Sequence, residues 1–87
     1  MNRNLLLQRK IIPEGMELLE RRFALLRVID LEQPVGRRTL AQRTGLPERT
    51  VRAETDFLKT RNFIEILPRG MVMTPEGSEL LIGLNEF

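Results

Sequence analysis

Apolar residues recur at intervals of three and four along the first part of the chain, a spacing typical of amphipathic helices. Residues 2–12 carry a dense apolar set and predict a short helix that Pro13 ends. Residues 14–36 place Leu18, Leu25 and Ile29 on one face and predict a longer helix, stopped near its last residues by a proline and a glycine. The first helix is too apolar for an isolated surface element, so we expect it to pack on the domain or on a partner.

Residues 37–45 predict a third, shorter helix followed by a tight turn. Leu40 and Thr44 lie four residues apart and mark its inner face. Gly45 supplies the left-handed or open backbone that a tight turn between helices requires. Leu46 is then positioned to fill the core beneath the turn.

Another helix is expected over residues 47–60, with Pro47 in its first position. Its inner face consists of three residues at helical spacing, Val51, Thr55 and Leu58. Glu54 departs from the usual pattern because that position is more often apolar. Two short helices in this order and spacing are typical of a helix-turn-helix, whose second helix enters the major groove of DNA.

The last part of the chain predicts a hairpin and a final helix. Residues 63–77 contain two short apolar runs around Leu-Pro-Arg-Gly, whose proline and glycine occupy favoured positions of a type I turn. Thr74 is expected to cap the final helix, with Pro75 in its first position. The inner face of that helix is predicted from Leu80, Leu81 and Leu84.

The predicted elements, taken in order, form a winged helix-turn-helix. This fold is mainly α with a small β-hairpin, here a wing over residues 64–74. We expect residues 1–13 to be a helical extension and residues 14–87 to be the winged helix-turn-helix domain itself.

Composition excludes several classes of function. The 87-residue chain has no cysteine and no histidine, so the commonest metal ligands and the commonest general base are missing. No acidic cluster replaces them, and we expect neither an enzyme nor a bound metal or cofactor. The apolar N-terminal segment is interrupted at Gln8, Arg9 and Lys10, short of the roughly 20 residues that span a membrane. We therefore expect no membrane association and a cytoplasmic location.

Positive charge is concentrated in the predicted helix-turn-helix. Residues 37–61 carry seven basic and three acidic residues, whereas the whole chain has a net charge of only +2. Most of the basic residues are arginines, whose planar fork of donors matches phosphate oxygens and the edge of guanine. A GC-rich genome also raises the number of arginines in its proteins. The clustering of arginines in residues 37–61 is therefore stronger evidence than their total number.

A family resemblance adds to this interpretation. The segment LPERTVRAETDFLKTRNFIE, residues 46–65, resembles the recognition helix and the start of the wing in DeoR-type bacterial repressors. Over nearly the whole chain the sequence is similar to the N-terminal domain of the central glycolytic genes regulators, which are SorC-family repressors. The most specific part of the resemblance runs from Pro34 to Leu58.

The resemblance implies properties that composition and spacing do not. It implies a longer natural chain, whose C-terminal domain senses a sugar phosphate, namely fructose bisphosphate, and forms a homo-oligomer. It also implies a double-stranded DNA operator in front of a glycolytic operon. The domain that would sense the effector lies outside these 87 residues.

Candidate base contacts lie on the outer face of the helix over residues 47–60. Arg52 is the first choice, and Arg49 shares its face three residues earlier. Each can pair with guanine, a contact that contributes roughly 1–3 kcal/mol of discrimination. Thr50 suits a phosphate oxygen or a thymine methyl group, and the small Ala53 permits close approach.

Candidate contacts with the DNA backbone lie at two other places. Arg37 and Arg38, with Thr39 beside them, begin the preceding helix, where free amides also favour phosphate. Arg69 lies at the tip of the predicted wing, within reach of the minor groove or the backbone.

Structural alternatives stand beside these assignments. Arg52 and Asp56 are spaced for a surface ion pair, and the arginines at 37, 38 and 69 can be ordinary solvated residues. Two other functions also use this fold, namely binding of a protein partner and binding of RNA. Four phenylalanines as the only aromatic residues, most of them expected to be buried, argue against stacking of single-stranded RNA.

Overall fold

The computed structural model describes residues 14–86, and this range contains four helices and one antiparallel hairpin. In chain order the elements are α1 (Glu14–Glu32), α2 (Arg37–Thr44), α3 (Glu48–Thr60), β1 (Ile64–Leu67), β2 (Gly70–Met73) and α4 (Pro75–Glu86). The predicted winged helix-turn-helix is therefore confirmed. The helix predicted over residues 2–12 lies outside the described residues.

Helix α1 forms the centre of the core. Leu25, Leu26 and Ile29 on its inner face have no solvent exposure. Every other element contributes at least one buried side chain to the same cluster, namely Leu40, Val51, Leu58, Ile64, Met71 and Leu81. Full burial of a leucine or isoleucine side chain contributes about 1.5–3 kcal/mol, so this cluster fixes α2 and α3 on one rigid base.

The turn between α2 and α3 has left-handed geometry, one of the two backbone conformations that the sequence left open at Gly45. Gly45 has φ of 75°, and its N–H donates a hydrogen bond to the Ala41 carbonyl at 2.8 Å. The Thr44 hydroxyl donates to the Leu40 carbonyl at 2.7 Å, which ties the last turn of α2 together. Leu46 is half-buried and packs against the core beneath the turn, as the sequence predicts.

Helix α3 begins one residue later than the sequence predicts. Pro47 has an extended backbone with ψ of 148° and precedes the helix, so its assignment to the first helical position is wrong. The Pro47 carbonyl accepts the first backbone hydrogen bond of the helix, from the Val51 N–H at 3.0 Å. Proline fits equally well here because its missing N–H has no helical partner at either position.

The wing is a short hairpin that is anchored to the segment before α2. Leu67 pairs with Gly70, which leaves Pro68 and Arg69 as the turn. Val35 pairs with Met71 through two backbone hydrogen bonds of 3.1 and 2.8 Å. The sequence does not predict this third partner, because a single paired residue leaves no alternating pattern.

Helix α4 closes the other side of the hairpin. The Thr74 hydroxyl accepts the Gly77 N–H at 3.0 Å, so the predicted cap is confirmed. The same hydroxyl donates to the Asn62 carbonyl at 2.7 Å and links the start of α4 to the end of α3. Leu81 is buried, while Leu80 and Leu84 are half-buried against the core.

Candidate nucleic-acid interface

Helix α3 has an inner face and an outer face of very different character. Val51 and Thr55 are fully buried and Leu58 is 1% exposed, so the helix cannot rotate without opening the core. The opposite face exposes Arg49, Arg52, Ala53 and Asp56 to solvent. Thr50 is half-buried and exposes a smaller fraction of its surface than Arg49 and Arg52.

Three arginines meet at a cleft between the start of α2 and the start of α3. This arginine cleft has a volume of about 310 Å³ and is lined by Arg37, Glu48, Arg49 and Arg52. The turn at Gly45 brings the two helix starts together, although Arg37 and Arg49 are distant in sequence. The cleft therefore joins a predicted backbone contact with two predicted base contacts.

A second cleft lies between the wing and the segment before α2. This wing cleft, of about 240 Å³, is lined by residues 35–37 and by residues 66–71 of the hairpin, including Arg69. Arg37 lines both clefts and so connects the outer face of α3 with the wing. Arg38 is exposed and lines neither cleft, and Thr39 is half-buried.

The arginines of the described chain fall into two groups. Within residues 14–86, no side-chain hydrogen bond, ion pair or ring contact is made by Arg37, Arg38, Arg49, Arg52 or Arg69. The alternative pairing of Arg52 with Asp56 is therefore not formed. The remaining arginines contact a carboxylate or a phenylalanine ring, and they are Arg21, Arg22, Arg27, Arg43 and Arg61.

Glu54 has a structural role that explains its unusual position in α3. Its residue is 7% exposed, and its carboxylate accepts a hydrogen bond from Arg22 Nε at 2.6 Å. Arg21 Nη1 lies 3.4 Å from the other carboxylate oxygen. The Arg22 guanidinium also lies 3.6 Å from the centre of the Phe57 ring. Two features of the sequence could have indicated this pair. Arg22 lies within the apolar stripe of α1, and Glu54 lies at a position of α3 that is usually apolar.

Another ion pair links the C-terminal ends of α2 and α1, and its residues line neither cleft. Arg43 Nε donates to Glu32 at 2.7 Å, between the last residues of α2 and α1. This hydrogen bond, together with the charge of Glu32, raises the pKa of Arg43 above its ordinary value. Arg43 thus contributes less free positive charge than the sequence count suggests.

The phenylalanines are less buried than the sequence analysis predicts. Phe23, Phe57 and Phe63 are half-buried and pack against the core. Phe57 is covered by Arg22 on one side and approached by Arg61 at 5.0 Å. Of these rings, Phe57 has a guanidinium over its face and is therefore not free to stack on an unpaired base.

Comparison with known proteins identifies the family. The family described as CggR N-terminal DNA binding domain matches residues 18–87, which include both clefts. The chain belongs to this family. It is a DNA-binding domain of a CggR-like transcriptional regulator, a family of regulators and not of enzymes.

Two relatives of this CggR-type domain carry the name central glycolytic genes regulator. The protein from Priestia megaterium is 47% identical over 79 residues, which cover 91% of this chain and 23% of the relative. The protein from Bacillus subtilis is 40% identical over 86 residues, which cover 99% of this chain and 25% of the relative. The chain thus spans about a quarter of the length of these relatives.

A solved structure shares the fold of the CggR-type domain. A protein of unknown function from Listeria innocua superposes with a TM-score of 0.70 at 20% identity, over 76% of this chain and 50% of that one. No helix within residues 14–86 is long and apolar enough to cross a membrane. The same residues contain no group of carboxylates that could hold a metal ion.

Proposed function

We propose that the N-terminal half of α3 enters the major groove of an operator and that Arg49 and Arg52 contact base edges there. The observation that carries this proposal is the grouping of exposed arginines around the arginine cleft, none of which has a side-chain partner among residues 14–86. Guanidinium groups held in this way are free to form bidentate contacts with guanine. Asp56 is exposed further along α3 and would repel phosphate, so the C-terminal half of the helix stays outside the groove.

The remaining site residues position the domain on the DNA backbone. Arg37 and Arg38 contact phosphates at the start of α2, where the free helical amides add to their attraction. Arg69 at the tip of the wing reaches the backbone or the minor groove. Thr39 donates a hydroxyl hydrogen bond to a phosphate oxygen, Thr50 contacts a phosphate oxygen or a thymine methyl group, and Ala53 leaves room for the edge of the groove.

In the full-length regulator this domain serves a repressor of a glycolytic operon. The names of the two relatives support this part of the proposal, as does the length they have beyond the matched region. The effector is a sugar phosphate, fructose bisphosphate, bound by a C-terminal domain that also forms a homo-oligomer. Two or more copies of the DNA-binding domain then occupy repeated half-sites, which raises the affinity of a single weak module. A DNA operator implies a cytoplasmic protein.

Fluorescence anisotropy of the 87-residue protein with a mixed-sequence duplex tests the DNA contacts. We expect micromolar or weaker binding that falls steeply with salt and that survives an excess of RNA. The double variant Arg49→Ala/Arg52→Ala should lose most of this binding while keeping its helical circular dichroism spectrum. Binding of RNA in preference to the duplex would support the RNA alternative instead.

Arg27→Ala provides a matched control. Arg27 is an exposed arginine on α1 that lines neither cleft, and its only ring contact among the described residues is Phe23 at 5.7 Å. It should bind DNA nearly as well as the parent chain, whereas Arg52→Ala alone should not. If both single variants bind equally well, the arginines around the cleft form a solvated surface and the domain is better explained as a protein interaction module.

A further inference from the structure

Glu48 is a carboxylate on an otherwise basic surface. It is exposed in the first turn of α3 and lines the arginine cleft together with Arg37, Arg49 and Arg52. A negative charge at this point weakens the attraction of the cleft for the DNA backbone, because it repels phosphate. A surface that serves only to hold a polyanion would gain affinity without it.

None of the arginines of the cleft forms an ion pair with this carboxylate. Within the described part of the chain the Glu48 side chain forms no ion pair or hydrogen bond, although three guanidinium groups line the same cleft. Carboxylates with a purely structural role in this domain behave differently. Glu54 meets Arg22 at 2.6 Å, and Glu32 meets Arg43 at 2.7 Å. Glu48 therefore keeps its acceptor oxygens free on the surface that faces the proposed groove.

The chemistry of the major groove decides which base suits such an acceptor. Guanine presents only acceptors there, and thymine presents an acceptor and a methyl group, so both disfavour a carboxylate. Adenine presents an amino group beside the N7 acceptor, which repels the second carboxylate oxygen. Cytosine presents its N4 amino group without a neighbouring acceptor and is the natural partner of a glutamate.

We propose that Glu48 is a specificity-determining residue whose carboxylate accepts a hydrogen bond from the N4 amino group of a cytosine in the major groove. This proposal rests on the proposed function, since it requires the start of α3 to lie in that groove. Arg49 and Arg52 on the same turns then contact guanines near this cytosine, so the operator contains G·C pairs where the start of α3 docks. Glu48 contributes selectivity and reduces binding to other sequences.

A second explanation for an acidic residue in this position is the helix dipole, which favours negative charge in the first turn. Glu76 offers a matched control for it. Glu76 is exposed in the first turn of α4 and lines neither cleft. Glu76→Ala removes the same charge from the same kind of helical position, and so reproduces the effect on the helix without any effect on a base.

In the experiment, the 87-residue protein and its variants each select duplexes from a pool with a randomised segment, at low salt. Fluorescence anisotropy then measures the binding of each protein to four duplexes that differ only at the affected base pair. Circular dichroism melts first establish that Glu48→Ala, Glu48→Gln and Glu76→Ala are folded. The parent chain and Glu76→Ala should both select cytosine at one position. Glu48→Ala should lower that preference about tenfold, keep the other preferences and bind unrelated DNA more tightly. Glu48→Gln should shift the preference at that position towards adenine, which pairs with an amide side chain.

Two results would overturn the proposal. One is selection of the same bases with the same stringency by all four proteins. The other is an equal loss of affinity at every position in both Glu48 variants, which would mean that Glu48 only orients the neighbouring arginines. Failure of the parent chain to bind any duplex is a separate result, and it would overturn the proposed function together with this inference.

Discussion

Arg22 on α1 and Glu54 on α3 form a partly buried ion pair between the two helices. Arg22 Nε lies 2.6 Å from Glu54 Oε1, and the same guanidinium covers the Phe57 ring at 3.6 Å. The pair fixes the rotation of α3 about its own axis, because the two residues belong to different helices and the carboxylate is almost fully buried. The orientation of Arg49 and Arg52 towards solvent follows from that fixed rotation.

Breaking this pair on one side should destabilise the domain. Removal of one partner of a fully buried pair costs about 3–5 kcal/mol, because the other charge stays buried without compensation. The Arg22 side chain is 25% exposed, so we expect a smaller loss for Glu54→Ala or Arg22→Ala, about 2 kcal/mol in the free energy of unfolding. Urea denaturation of each variant measures it.

The double variant Arg22→Met/Glu54→Leu tests the reason for that loss. It removes both charges and fills a similar volume with apolar groups, so it should recover most of the stability lost in either single variant. Arg43→Ala, which breaks an exposed ion pair, should change the stability very little. Single variants as stable as the parent chain would show that Glu54 is well solvated without Arg22.

Replacement by alanine should change the stability of the domain in opposite directions at Gly77 and at Gly83. A Cβ atom at Gly77 would overlap the carbonyl oxygen of Phe63, a backbone atom that cannot turn aside. We expect Gly77→Ala to lower the free energy of unfolding by about 2 kcal/mol or more, as overpacking does. Gly83 lies in the same helix with no atom within 4 Å of a built Cβ, so Gly83→Ala should raise stability by about 0.5 kcal/mol. Thermal denaturation of both variants tests the pair, and equal melting temperatures would contradict the close contact at Gly77.

Gly45 and Gly36 provide a similar comparison for backbone geometry. No atom lies within 4 Å of a Cβ built on either residue, so neither substitution causes a clash. Gly45 has φ of 75° and Gly36 has φ of −92°. Gly45→Ala should therefore lose about 1–2 kcal/mol of stability from the left-handed conformation alone, while Gly36→Ala should be neutral or slightly stabilising. A neutral Gly45→Ala would indicate that the turn can adopt another backbone conformation.

Arg37 should matter more for DNA binding than its neighbour Arg38. Arg37 lines both clefts, whereas Arg38 lines neither. Each phosphate contact contributes about 0.9 to the slope of log K against log salt concentration. We expect Arg37→Ala to reduce the slope by about 1–2 and Arg38→Ala by about 1 or less. Anisotropy titrations at four salt concentrations give both slopes. A larger reduction of the slope in Arg38→Ala than in Arg37→Ala would show that the DNA backbone does not follow the two clefts.

Features that depend on neighbouring residues were predictable from the sequence. The spacing of Leu25, Leu26 and Ile29 predicts the inner face of α1, because helical periodicity depends only on residues three or four positions apart. Gly45 predicts a tight turn with a left-handed or open backbone, and Thr74 predicts the cap of α4, for the same reason, since both effects act through the backbone within a few residues. The order of these elements was sufficient to predict the winged helix-turn-helix.

Features that join distant residues were decided by the tertiary structure alone. The chain brings Arg22 and Glu54, 32 positions apart, into one partly buried pair, and it brings Val35 alongside Met71 to anchor the wing. The sequence shows which arginines are present but not which of them are already paired. That distinction depends on how α1 packs against α3, because packing leaves Arg22 beside a buried carboxylate and leaves Arg37, Arg49 and Arg52 around an open cleft.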